Sequence, residues 1–145
     1  MLKISNVMQS DSGFYTESTY TPSVQTFNIL TGHMSDDCIP IQIECGGCIW
    51  LDAEGALGEI EIIYPRTVHS PLLHNVGRSI IGTPHFEVTD SIYESPFVQV
   101  FEGGFVIWLK EVTNIELGIS NGEIIYLISN DELCGILATK TVINE

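Results

Sequence analysis

Positively charged residues are scarce in this sequence. Lysine and arginine together number five among 145 residues, against 19 aspartates and glutamates, so the formal net charge is −14 at pH 7. Nucleic-acid backbones and anionic membranes both bind clustered cations. The composition therefore argues against nucleic-acid and membrane binding, and it favours a basic protein partner. Plain solubility explains the same charge equally well.

The sequence also has no long hydrophobic run. No stretch approaches the roughly 18 apolar residues that a membrane helix requires. The opening residues, Met1 to Ser5, are followed by polar residues rather than by the apolar core of a secretion signal. We therefore expect a cytoplasmic protein whose four cysteines are reduced thiols.

Motifs of the common enzyme classes are absent. The chain has no GxGxxG, GxSxG or HExxH pattern, no P-loop and no EF-hand loop. The one spacing typical of metal ligands is Cys45-Gly46-Gly47-Cys48, which at a turn can supply two thiolates to zinc. A second ligand pair at similar spacing is missing, so we interpret Cys45 and Cys48 mainly as small residues of a turn. Metal binding and redox chemistry are the minor alternatives, and no cofactor is expected.

The sequence does contain the period-two alternation of β-strands. Ile39, Ile41 and Ile43 alternate with proline or polar residues, as expected for a strand with one buried face. Further apolar runs follow over residues 97–140, and Asn121-Gly122 between two of them is a strong hairpin signal. We predict a mainly β protein of the β-rich α+β class, in which an antiparallel hairpin meander forms a sandwich or a partly open barrel.

One segment departs from this alternation. Ser70-Pro71 places a hydroxyl at a helix N-cap and proline at the first helical position, and apolar residues then recur at helical spacing as far as Ile81. Gly82 and Pro84 would end such a helix. We therefore predict one short amphipathic helix near 71–81.

The length predicts one domain over residues 1–145. Changes of pattern along the chain divide it into four parts. They are irregular or edge strands at 1–37, a first hairpin unit at 38–65, a helix-containing connection at 66–85 and an antiparallel meander at 97–140.

The connection at 66–85 is unusual in its charge. It has no acidic residue, yet it holds both arginines and three of the four histidines: Arg66, His69, His74, Arg78 and His85. A helix N-terminus with cations beside it is a potential anion site, and histidines near arginine can perform acid–base chemistry on a phosphodiester. The simpler interpretation is a polar helix face that complements the acidic strands around it.

The leading functional hypothesis is a non-enzymatic acidic domain that binds a basic protein. A bacterial immunity or inhibitor protein that neutralises a cationic toxin, such as a nuclease, has this size, charge and lack of catalytic motifs. The candidate contact residues lie in predicted turns and loops: Asp36, Asp37, Asp52, Glu54, Asp90, Glu94, Asp131 and Glu132. Two alternatives stay open: a small enzyme or anion-binding protein that uses the 66–85 segment, and a structural subunit whose strand edges pair between chains.

Overall fold

The computed structural model describes residues 1–9, 14–44, 46–72, 75–91 and 93–145. These residues are built mostly from β-strands, and their one helical element is a short 3₁₀ turn at Pro22–Val24. The prediction of a mainly β protein is confirmed. The strands are β1 (Leu2–Gln9), β2 (Thr16–Thr21), β3 (Thr26–Thr31), β4 (Ile39–Ile43), β5 (Gly47–Leu51), β6 (Leu57–Ile63), β7 (Arg66–His69), β8 (Val76–Val88), β9 (Phe97–Phe101), β10 (Gly104–Trp108), β11 (Ile115–Asn121), β12 (Ile124–Ser129), β13 (Glu132–Ala138) and β14 (Val142–Ile143).

The strands form two mixed sheets that pack together, which confirms the predicted sandwich. The larger sheet has the order β1-β8-β11-β12-β13-β10-β9-β7, and the smaller one has the order β14-β2-β3-β6-β5-β4. A further pairing of β1 with β13, at Lys3 and Glu132, closes five strands of the larger sheet into a ring. In the smaller sheet β4 is an edge strand, with β5 as its neighbour.

The strand order is less local than a simple antiparallel meander. The pairs β8–β11, β7–β9 and β2–β14 are parallel. Within residues 97–140 the strands pair antiparallel with one another, but β10 pairs with β9 and β13 rather than with β11, so they do not all pair in their sequence order. All five residues of β10 are buried. Its backbone N–H and C=O groups therefore need a strand on each side, and β13 supplies the second one.

The first 37 residues are more regular than predicted. Among the described residues of this part, β1, β2 and β3 are regular strands with neighbours on both sides rather than irregular or edge strands. In β3, Phe27 and Ile29 are buried and lie opposite Ile62 and Ile60 of β6. The many Ser and Thr residues in this part of the sequence favoured the prediction of irregular strands, although β3 contributes side chains to the core.

The helix predicted near 71–81 is absent from the described residues of that segment, 71–72 and 75–81. Residues from Val76 onward belong to β8, and the connection at 66–85 contains β7 and most of β8 instead of a helix. Ser70 is joined to β9 instead: its N–H donates to the carbonyl of Val100 at 3.1 Å, and its hydroxyl accepts a hydrogen bond from the amide nitrogen of Gln99 at 3.1 Å. The first half of β8 pairs with β11 and the second half with β1, and these distant pairings outweigh the local helical spacing.

The main core lies between the two sheets. Phe27 of the smaller sheet meets Phe105 of the larger sheet edge to face, with ring centroids 5.0 Å apart. Alternate residues of β10 serve two cores: Phe105 and Ile107 face the smaller sheet, whereas Val106 and Trp108 belong to a second cluster. Each fully buried side chain of this size contributes about 1.5–3 kcal/mol of transfer free energy. The packing of these side chains therefore holds the two sheets together.

Candidate functional site

The structure places most of the predicted contact carboxylates on the surface. Asp52 and Glu132 are half-buried. The exposed members of the set are Asp36, Asp37, Glu54, Asp90, Glu94 and Asp131. Exposure is what a binding surface requires, although it is also the ordinary state of a carboxylate. The local contacts of each carboxylate therefore determine which of them is available to bind a partner.

Asp52 shapes the turn between β5 and β6. Its Oδ1 accepts the N–H groups of Glu54 and Ala56, both at 2.9 Å, and its Oδ2 lies 3.5 Å from Nδ1 of His33. An aspartate that accepts backbone N–H groups a few residues further along holds a turn in place. Asp52 thus has a structural role and positions Glu54 on the surface.

Asp131 and Glu132 lie where the β12–β13 hairpin turns, and Glu132 has an ion pair within the chain. Asp131 has a left-handed φ of 61° in the β12–β13 hairpin. The Oε2 of Glu132 lies 3.6 Å from Nζ of Lys110, and Glu132 is the register partner of Lys3. Burial lowers the pKa of the Met1 amino group, and the Glu132 carboxylate opposes this shift. The ion pair with Lys110 and the half-buried position of Glu132 make it a weak candidate for binding a partner.

An open cleft lies between the edge strand β4 and the end of β8, and we name it the β4–β8 cleft. Its volume is about 380 Å³, within the usual range of ligand sites. Its apolar lining residues are Ile39, Ile41, Leu51, Phe86 and Val88. Its acidic lining residues are Asp52, Glu54 and Glu87, and no lysine, arginine or histidine is found among the described residues that line it. The cleft therefore combines an apolar surface with negative charge.

The inner face of β4 forms one wall of the cleft. Burial decreases along this face from Ile43, which is 6% exposed, to Ile39, which is 64% exposed. On the opposite wall, Val88 at the end of β8 is 57% exposed. Two large apolar side chains therefore face solvent at the mouth of the cleft. Sequence reasoning identified the alternation of β4 but could not show that one end of its apolar face is left uncovered.

The turn at residues 52–55 forms the adjoining part of the cleft. The carbonyl of Gly55 accepts the N–H of Phe86 at 2.8 Å, so this turn of the smaller sheet is fixed to β8 of the larger sheet. Asp36 and Asp37 lie in the turn that leads into β4. Of the eight predicted contacts, Asp52 and Glu54 line the cleft, and Asp36 and Asp37 lie close in sequence to its wall. Glu87 also lines the cleft and was not predicted.

The cationic residues of the 66–85 segment are not gathered into one site. Arg66 and His69 lie on β7 at one edge of the larger sheet, whereas Arg78 and His85 lie on β8, between β1 and β11. Arg78 and His85 are seven positions apart on one strand, which corresponds to about 23 Å. His74 lies outside the described residues. The helix N-terminus that was expected to organise an anion site is absent from the described part of this segment.

Two of these cationic residues already have partners within the chain. The guanidinium carbon of Arg66 lies 4.4 Å from the centroid of the Phe97 ring, a cation–π contact. His85 is 9% exposed, and its carbonyl accepts the hydroxyl of Ser5 at 3.1 Å. The contact with Phe97 gives the Arg66 side chain a structural role, whereas the bond from Ser5 involves only the backbone of His85.

The cysteines show no metal-binding arrangement in the part of the chain that the structure describes. Cys38, Cys48 and Cys134 are free thiols, and Cys45 lies outside the described residues. Burial raises the pKa of the Cys48 thiol and that of Cys134, which disfavours the thiolate needed for zinc binding or redox chemistry. No group of three or more His, Cys, Asp or Glu side chains in the described ranges could hold a metal ion.

Sequence reasoning missed a second cavity, beside Trp108. Its volume is about 270 Å³, and Phe97, Trp108 and Val112 are among its lining residues. The buried Gln99 accepts the indole N–H of Trp108 at 2.9 Å, and its amide nitrogen donates to the hydroxyl of Ser70 at 3.1 Å. The polar groups of this wall thus bond to one another. In the sequence, the polar Gln99 inside the apolar run 97–101 was the feature that could have indicated this cavity.

Comparison with known proteins gives no family: no protein-family model matches the chain, and no curated protein matches it. Within the described ranges, no helix has the length and apolar character needed to cross a membrane. The functional assignment must therefore come from the surface charge and from the geometry of the β4–β8 cleft.

Proposed function

We propose that this chain is a non-enzymatic protein-binding domain whose partner is a basic protein. The observation that supports this proposal is the charge: 19 acidic residues against five lysines and arginines. Most of the candidate contact carboxylates are exposed, and the β4–β8 cleft adds apolar surface beside some of them. A net charge of −14 attracts a cationic surface and raises the rate of association with it.

Within this proposal, the partner is a cationic toxin such as a nuclease, and the chain is a cytoplasmic bacterial immunity or inhibitor protein. A nuclease holds its substrate's phosphates with lysine and arginine side chains. Carboxylates placed against the same side chains would compete with the substrate for them. This mode of inhibition needs an exposed acidic surface, and most of the candidate contact carboxylates are exposed.

The alternatives receive less support from the geometry. An anion-binding function for the 66–85 segment requires its cationic residues to converge, and those that are described lie on β7 and β8, which are not neighbours in the sheet. A structural subunit would pair its strand edges with those of other copies. Such copies would each carry the charge of −14 and repel one another.

The test is to immobilise the chain, capture proteins from an extract of its source organism and characterise the complex with the purified partner. We expect one basic protein bound at 1:1 stoichiometry. Its association rate should fall steeply between about 0.01 M and about 1 M salt, where the Debye length shrinks from about 30 Å to about 3 Å. The proposal would be contradicted if no stoichiometric basic partner were found, or if the association rate did not depend on salt.

A further inference from the structure

We infer that the β4–β8 cleft is the docking site for a segment of the basic partner in which apolar side chains are flanked by lysine or arginine. This inference rests on the proposed function and names the surface and the partner chemistry that it requires. It follows from three separate properties of the cleft: its uncovered apolar walls, its charge and the nature of its edge strand.

The walls of the cleft call for an apolar occupant. Ile39 and Val88, at 64% and 57% exposure, stand at its mouth, and the buried Leu51 and Phe86 lie deeper among its lining residues. Adjacent exposed apolar side chains beside a concave, partly apolar surface are typical of interaction sites. Apolar side chains of a partner would remove these walls from water.

The charge of the cleft selects the sign of the flanking residues. Asp52, Glu54 and Glu87 line it, and no cation is present among its described lining residues. Lys3 of β1 is the register partner of Glu87, but neither Glu54 nor Glu87 has an ion pair within the described ranges. Lysine and arginine can cover apolar surface with their methylene stems while placing their charge at such a rim. A second copy of this chain is a poor occupant because both copies carry the same large negative charge.

The edge strand determines how the segment would bind. The described residues of β4 have a strand neighbour on one side, β5, so the other side is available to a partner. Pro40 in β4 has no N–H group, and proline on an edge strand discourages the addition of a further strand. The affinity should therefore come mainly from side chains in the cleft rather than from an added backbone ladder.

The experiment uses three short fluorescent peptides whose binding to the full chain is followed by anisotropy. One peptide alternates lysine with leucine, the second alternates lysine with glycine, and the third alternates glutamate with leucine. We expect the lysine–leucine peptide to bind most tightly, because it alone supplies both the apolar side chains and the positive charge.

Matched variants then locate the site. The double variant Glu54→Gln/Glu87→Gln removes two carboxylates from the cleft, and the control Glu102→Gln/Glu111→Gln removes two exposed carboxylates that do not line it. Both doubles change the net charge equally, so long-range attraction changes equally. We expect the cleft double to weaken binding of the lysine–leucine peptide about fivefold more than the control does, as for two partly exposed ion pairs.

A second pair of variants tests the apolar walls. Ile39→Ser removes an exposed side chain from the cleft, and Ile143→Ser removes one of similar exposure from the opposite edge of the smaller sheet. Only Ile39→Ser should weaken peptide binding. All four substituted positions in the carboxylate doubles and both isoleucines are exposed, so folding should be preserved, and urea unfolding of each variant checks this.

Several outcomes would overturn the inference. Equal weakening by the two carboxylate doubles, or no binding of the lysine–leucine peptide, would remove the cleft as the docking site while leaving the basic partner to be tested by capture. Equal binding of the glutamate–leucine peptide would count against the cleft and against the proposed function together. A dimer that is lost in Ile39→Ser would assign the cleft to a second copy of the chain instead.

Discussion

Replacing Gly55 with alanine should destabilise the protein, because Gly55 is where the smaller sheet meets β8. Gly55 has a φ of 90°, and its carbonyl accepts the N–H of Phe86 at 2.8 Å. A Cβ atom on Gly55 would lie 2.3 Å from the carbonyl oxygen of Phe86. Since that oxygen belongs to the backbone of a paired strand, it cannot rotate away as a side chain could. The turn or the strand must move.

Gly103 provides a matched control for the magnitude. Its φ of 87° is nearly the same, but an added Cβ atom would meet nothing within 4 Å. Gly103→Ala therefore carries only the cost of the left-handed conformation, about 1 kcal/mol. Gly55→Ala carries this cost and an overpacking cost of about 1–3 kcal/mol. The free energies of unfolding of the two variants should differ by about 1–3 kcal/mol.

Urea unfolding followed by tryptophan fluorescence measures this difference. Trp50 and Trp108 lie on different sheets, so coincident transitions would also show that the sandwich unfolds as one unit. Equal destabilisation by Gly55→Ala and Gly103→Ala would refute the close approach of the turn to β8. If Gly55→Ala still folds, it should also weaken binding of the lysine–leucine peptide more than Gly103→Ala does.

Three further predictions concern individual side chains. Asp52→Ala removes the acceptor of two backbone N–H groups and should lower the free energy of unfolding by about 1–3 kcal/mol. The control Asp37→Ala should change the free energy of unfolding by less than about 0.5 kcal/mol in the same urea assay. Similar values for the two variants would contradict the structural role of Asp52. Burial raises the pKa of Tyr126 in the folded state, so its contribution to stability is complete below the unfolded-state pKa of about 10 and is lost as the pH rises above that value. Tyr126→Phe should therefore reduce the loss of stability between about pH 10 and pH 12. An unchanged alkaline stability profile would refute this. Gln99→Leu deletes the acceptor of the 2.9 Å bond from Trp108 and should lower the free energy of unfolding by about 1–3 kcal/mol, and a variant as stable as the parent would show that this bond is dispensable.

The features predicted correctly from the sequence are those that depend on neighbouring residues. The alternation of Ile39, Ile41 and Ile43 predicted β4, because a strand with one covered face needs apolar residues at every second position. Asn121-Gly122 predicted the β11–β12 hairpin, in which Gly122 has a φ of 60° and Asn121 pairs with Ile124. Both signals lie within a few residues of the element that they specify.

The segment at 71–81 shows why a local pattern can fail. The first half of β8 is mostly exposed, whereas residues 82–86 are all buried, so neither half alternates with a period of two. This strand exists because β11 and β1 pair with its two halves. Those partners lie far away in sequence, and no local spacing records their presence.

The strand-rich character, the turns and the negative charge can be predicted from the amino acids alone, because they depend on composition and on short-range periodicity. The order of the strands, the separation of the cationic residues and the position of the β4–β8 cleft become visible only in the folded chain. The folded chain also separates the predicted acidic residues, since Glu54 lines the cleft while Glu132 forms an ion pair with Lys110. These properties arise from contacts between segments that are distant in sequence. Such contacts form only when the two sheets pack together, so no local sequence pattern records them.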